Sequence, residues 1–157
     1  MIKTMKKCRV VLVDDDSDDI AFLKDAMEES GKFNIMAACN AEKDLIDVLQ
    51  HADKLPDAII CDLNMPLRSG IEVHNDLRSL DHFANIPFIL MSGMEPSPSM
   101  ELKVAGEGLA TVMVKPTSIT GYHDFCIRLF SILIGKRTRG MITPVPAGQY
   151  LPEYPAV

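Results

Sequence analysis

Four short apolar runs in this chain each end on a polar side chain capable of chemistry. Residues 10–13 run into Asp14 and Asp15, and residues 58–61 run into Asp62. Residues 88–91 end in Ser92, and residues 111–114 end in Lys115. Runs of this length that are wholly apolar, as 10–13 is, or nearly so, read as strands buried on both faces, as in a parallel sheet. Residues 33–39 make a fifth strand candidate. The stretches between have helical spacing. Ile20, Leu23, Ala26 and Met27 share one face, and Gly31 stops that helix. Residues 40–42 open a second helix, with Leu45, Ile46 and Leu49 on one side, and Leu55-Pro56-Asp57 breaks it. Residues 71–80 form a third, with Ile71, His74, Leu77 and Leu80 broadly in phase. Residues 95–99 read as loop, and residues 100–105 as a short helix before Gly106 and Gly108. Residues 118–134 form a last helix, nearly encircled by apolar side chains and capped by Gly135. Alternating strands and helices predict an α/β fold with right-handed crossovers.

A parallel sheet puts the carboxyl ends of its strands on one edge, where open α/β folds bind ligands. Asp14, Asp15, Asp62, Ser92 and Lys115 should therefore converge. Three carboxylates brought together raise one another's pKa, and a hard divalent cation, Mg²⁺ or Mn²⁺, removes that cost. Asp15 and Asp62 are the natural direct ligands, with a backbone carbonyl just after Asp62 as a third. Lys115 can pair with Asp62 or with a group attached to it, and Ser92 can donate to that group. Metal, ammonium and hydroxyl make a phosphoryl-transfer constellation, with Asp62 as nucleophile. The acids at positions 16, 18 and 19, with Ser17, read as helix capping and dipole partners. No G-x-G-x-x-G follows the first strand, which disfavours a dinucleotide site of that type.

Asp14-Asp15, Asp62, Asn64-Met65-Pro66, Gly70, Ser92-Gly93 and Lys115-Pro116, in this order, resemble the receiver domain of bacterial response regulators. The resemblance implies a flavodoxin-like, doubly wound five-stranded parallel sheet, order 2-1-3-4-5, with helices on both faces. It implies a phosphoacceptor in a two-component phosphorelay. Asp62 would be phosphorylated with Mg²⁺ by a histidine kinase or a histidine phosphotransfer protein. By the same resemblance, Asp15, Asp62 and the Asn64 backbone carbonyl hold the metal, and Asp14 helps through water. Ser92 and Lys115 contact the phosphoryl group, and Gly93 keeps access to it open. Such a domain is a signalling protein that assists its own phosphoryl transfer and dephosphorylation, not a separate enzyme. In this family the peptide before the proline is typically cis, so a cis Lys115–Pro116 bond is expected. Two positions depart from the family. The switch position, three before the lysine, usually holds Tyr or Phe and here holds Val112, which reads as strand core. Met94 stands where a polar residue can assist or hinder the attacking water.

Residues 1–135 are expected to form the receiver, and residues 136–157 a proline-rich tail with no separate output domain. Pro144, Pro146, Pro152 and Pro155 preclude a helix there, while Met141, Ile142, Tyr150, Leu151 and Tyr154 make it too apolar for a solvated linker. The tail should cover the last helix of the same or a neighbouring chain, which makes a homodimer possible. A formal net charge of -6 with no long basic cluster argues against nucleic acid. The chain lacks an apolar run of about 18 residues, which argues against a membrane span. Cys8, Cys39, Cys61 and Cys126 lack C-x-x-C spacing, and three lie in apolar runs, which fits the reducing cytoplasm. His51, His74, His82 and His123 show no ligand spacing and read as surface or helix-flank residues. Two other functions fit less well. One is a dimeric binding module of the same fold that works without phosphorylation, which Val112 and the tail favour. The other is a haloacid-dehalogenase-type phosphatase, which needs a second acid two residues past its nucleophile, where this chain has Asn64.

Overall fold

The structure, a computed structural model, describes residues 5–106 and 110–138. Strands and helices alternate: β1 (Cys8–Val13), α1 (Ser17–Ser30), β2 (Phe33–Cys39), α2 (Glu42–His51), β3 (Ala58–Asp62), α3 (Gly70–Arg78), β4 (Phe88–Ser92), α4 (Pro98–Gly106), β5 (Ala110–Val114) and α5 (Ile119–Thr138). The strands form one parallel sheet in the order β2-β1-β3-β4-β5, as the resemblance to receiver domains implies.

The register sets the functional edge. Val13 lies beside Cys61, so Asp14 is level with Asp62. Asp62 lies beside Met91, and Ser92 beside Val114, so Ser92 and then Lys115 follow one step further along the edge. Alternate strand residues face opposite helical layers. Val10, Leu12, Ile60, Ile89 and Met113 pack with α1 and α5. Val11, Val13, Ile59, Leu90 and Val112 pack with α2, α3 and α4.

Local chemistry explains where the helices begin and end. The Asp16 carboxylate caps α1, accepting from the N–H groups of Asp18 and Asp19, and Gly31 ends it at φ 66°. Ser69 and Glu72 form a capping box at the start of α3. A Cβ on Gly70 would lie 2.5 Å from the Asp62 carbonyl oxygen, so only glycine lets α3 begin directly beneath the acceptor loop.

Several boundaries differ from expectation. α3 stops at Arg78, where the Ser79 hydroxyl donates to the Asp76 carbonyl, and Leu80 is left exposed. α4 begins at Pro98, inside the expected loop. Ser97 offers its carbonyl to Glu101 N–H and its Oγ to Met100 N–H, and a proline in the first turn forfeits no bond. Gly135 does not cap α5. It lacks the left-handed φ of a cap, and the helix continues to Thr138.

The sheet and α1 bury Tyr122, Phe125, Cys126, Leu129, Phe130 and Leu133 of α5. Ile119 and Ile127 remain exposed on it. The chain's own core therefore covers most of the apolar surface that seemed to need a partner. The expected packing of residues 141–157 against the last helix lies outside the described residues. All four cysteines are buried. His74 is buried too, against expectation. Its ring lies 4.8 Å from that of Phe88, in the layer formed by α2, α3 and α4. Among the described residues, no helix is long and apolar enough to cross a membrane.

Candidate functional site

The strand ends bring Asp14, Asp15 and Asp62 together, with one carboxylate oxygen from each lying within 4.8 Å of the others. Asp14 and Asp62 are buried and Asp15 is exposed, so the cluster has one open side. The β1–α1 turn spends one oxygen of Asp14 on its own backbone, where Asp16 N–H donates to Oδ1 at 2.9 Å. The other oxygen, Oδ2, accepts from Lys115 Nζ at 2.8 Å. Burial raises the pKa of Asp14. Burial, and then the charge of Asp14, raise that of Asp62, while Lys115 and the Asn64 N–H pull it back.

Lys115 is fixed at both ends. Its backbone N–H donates to the Ser92 carbonyl at 2.7 Å, which ties the end of β5 to the end of β4. Its ammonium is 3.4 Å from Asp62 Oδ1 and donates to Asp19 Oδ2 at 2.9 Å. Burial alone would lower the lysine's pKa, but hydrogen bonds to Asp14 and Asp19 and the charges of Asp14 and Asp62 outweigh it, and the pKa is raised. The Lys115–Pro116 peptide is trans, not cis as expected. The inward aim of the lysine comes from its strand-end hydrogen bond and its carboxylate partners.

Ser92 reaches the same edge, but its hydroxyl donates to the Met94 carbonyl at 2.5 Å and so faces its own loop. A Cβ on the exposed Gly93 would meet no described atom within 4 Å, so the approach beside Ser92 is open. Val112 is buried in the core, in keeping with its strand pattern. Cys61 packs into the same layer, and burial, then Asp62, raise its thiol pKa. That thiol donates to the Asp62 backbone carbonyl at 3.4 Å and points away from the Asp62 carboxylate's partners, into the core.

The donor set suits a hard divalent cation. It is all oxygen, it carries up to three negative charges in a small space, and its two buried members have raised pKa values that such a cation would reverse.

Residues 10–124 match the response regulator receiver domain. The chain belongs to that family. The receiver is 34% identical over 110 residues to the transcriptional regulatory protein PrrA of Mycobacterium tuberculosis, a match covering 69% of this chain but only 43% of PrrA. It is 29% identical over 111 residues to the chemotaxis protein CheY of Halobacterium salinarum, covering 71% of this chain and 89% of that protein. Among solved structures, the chemotaxis response regulator CheY4 of Vibrio cholerae shares the fold, with a TM-score of 0.64 at 21% identity over 79% of this chain and 99% of CheY4.

Sequence reasoning missed two neighbours of the receiver's lysine. On sequence grounds Asp19 reads as a capping and dipole residue, and Tyr122 lies among the apolar side chains that encircle the last helix. The Tyr122 hydroxyl donates to Asp19 Oδ1 at 3.1 Å, while Asp19 Oδ2 holds Lys115. The signal available was an acid in the first turn of α1 and a tyrosine in the first turns of α5, both at the carboxyl edge of the sheet.

Proposed function

We propose that this receiver accepts a phosphoryl group on Asp62 from a phosphohistidine of a histidine kinase or phosphotransfer protein. A divalent cation, Mg²⁺ or Mn²⁺, would be held by Asp15 and Asp62 with the Asn64 carbonyl, and by Asp14 through water. One observation carries the reading: a buried carboxylate stands at a strand end with an ammonium 3.4 Å away and with two more carboxylates close enough to share one cation with it. Asp62 oxygen would form the new P–O bond as the P–N bond to the donor imidazole breaks. The bound cation would supply positive charge against the phosphoryl oxygens. Lys115 would meet the same oxygens from the opposite side, and Ser92 would turn its hydroxyl from Met94 to them. Gly93 leaves room for the incoming group. Phosphorylation would then favour one of two arrangements of the loops carrying Ser92 and Lys115.

The buried Val112 favours a second reading, a binding module of the same fold that works without phosphate, as a dimer through α5 and the tail. Acetyl phosphate with Mg²⁺, read by intact mass, separates the two. The first reading expects a single base-labile phosphoryl adduct that disappears in Asp62→Asn. An adduct that persists in Asp62→Asn, or none in the wild type, would sink it.

A further inference from the structure

Phosphoryl transfer to Asp62 leaves one feature of the site unexplained. An acid from α1 and a tyrosine from α5 stand behind the lysine, and neither is needed to hold a cation or accept a phosphoryl group. The helix dipole accounts for an acid in the first turn of α1. It does not account for the engagement of both Asp19 oxygens, one by the Lys115 ammonium and one by the Tyr122 hydroxyl.

We propose that Asp19, held in place by Tyr122, is a positioning residue that keeps the Lys115 ammonium aimed at Asp62 during phosphoryl transfer. The inference rests on Asp62 being the phosphoacceptor. Lysine carries its charge on a flexible four-carbon stem, so its aim must be set from outside. An ammonium has three N–H groups. Here two of them go to Asp14 and Asp19, at 2.8 and 2.9 Å, and Asp62 Oδ1 lies 3.4 Å away. The two holders are not equivalent. Asp14 belongs to the carboxylate cluster, so a bound cation would share its charge. Asp19 lies outside that cluster, so a bound cation would leave its pull on Lys115 in place. Tyr122 restrains Asp19 in turn. It is buried, and its ring stacks on Phe22 with centroids 5.8 Å apart. The aim of the lysine is thus set jointly by β5, α1 and α5.

With acetyl phosphate as donor, the Asp62 oxygen forms a P–O bond while the bond from phosphorus to the acetate oxygen breaks. Acetate leaves with the bonding pair. No redox change occurs and no proton has to move, so the lysine acts through charge and place.

The test compares Asp19→Asn and Tyr122→Phe with the wild type, and with Asp18→Asn, which removes an exposed acid from the same helical turn. Phosphorylation by acetyl phosphate at saturating Mg²⁺ is followed by intact mass, and Mg²⁺ affinity by calorimetry. In the metal-free protein, NMR follows protection of the Lys115 ammonium protons. Asp19→Asn is expected to slow phosphorylation about tenfold. Tyr122→Phe, which keeps the ring and its stacking, should slow it roughly threefold. The Mg²⁺ dissociation constant should move by no more than about twofold, the size of a screened charge effect. Ammonium protection should fall in both variants, while Asp18→Asn should match the wild type. A purely structural ion pair would leave the rate unchanged, and a carboxylate competing with the phosphoryl group for the lysine would make it faster in Asp19→Asn. Either result overturns the proposal. If Asp19→Asn does not fold, Tyr122→Phe decides alone. A wild type that takes up no phosphoryl group overturns both this inference and the phosphoacceptor reading, whereas equal rates in wild type and variants overturn this inference only.

Discussion

The layer formed by α1 and α5 and the layer formed by α2, α3 and α4 meet the same sheet on different terms. The first joins the functional edge through a polar chain, Lys115 to Asp19 to Tyr122, and continues into an aromatic core. The second meets that edge through apolar strand residues, Val112 among them. Its polar tie is made at the surface, where Arg68 in the loop after β3 pairs with Glu42 of α2 and Asp76 of α3. Inside, it holds His74, neither of whose ring nitrogens has a hydrogen-bond partner among the described residues. A rearrangement of Lys115 would therefore be felt directly in α1 and α5, while the other layer would be reached through loops.

The strongest way to break this contrast is to empty the first layer. Phe125 is fully buried, and Phe125→Ala should cost about 3–5 kcal/mol in urea unfolding. Ile127→Ala on the exposed side of the same helix should cost less than about 0.5 kcal/mol. Equal costs would mean that α5 is packed on both sides.

The second layer is probed through His74. Burial, then the charge of Arg78, lower its pKa from 6.5 to about 4. Between those values the unfolded chain binds a proton that the folded chain refuses. Stability is thus fully present above pH 6.5 and lost as pH falls toward 4, by about 3 kcal/mol in all. His74→Leu should flatten that window in urea titrations across pH, and an unchanged slope would place the effect elsewhere.

A smaller effect is expected at the edge itself. The pKa of Asp62 is raised, so its charged form opposes folding, and its contribution to stability is lost as pH rises through the folded value. In metal-free buffer at neutral pH, Asp62→Asn should stabilise the chain. Added Mg²⁺ should raise the melting temperature of the wild type more than that of the variant, narrowing the gap. A variant less stable than the wild type without metal would show that the lysine outweighs burial and Asp14 at this position.

Much of the site could be read along the chain because each group follows its strand directly. An apolar run names the strand, and the parallel arrangement carries Asp14, Asp62, Ser92 and Lys115 to one edge. Residues whose role depends on a distant element were harder to read. Helical phase put His74 in line with Ile71 and Leu77, while its residue type suggested the surface, and packing against Phe88 decided for burial. Gly135 read as a cap, but a glycine ends a helix only where the backbone turns left-handed, and here it does not.

The sequence by itself determined the strands, their parallel arrangement and the identity of the acidic edge, because strand pattern and the direction of a parallel sheet leave little choice; the strand order followed only from the resemblance to the receiver family. Only the tertiary structure decided how Lys115 is held. Asp19 and Lys115 are 96 residues apart, and Asp19 and Tyr122 are 103 apart. Helical periodicity says which face a residue occupies, but a hydrogen bond needs its partners within about 3 Å. That accuracy comes only when α1 and α5 pack side by side on the sheet.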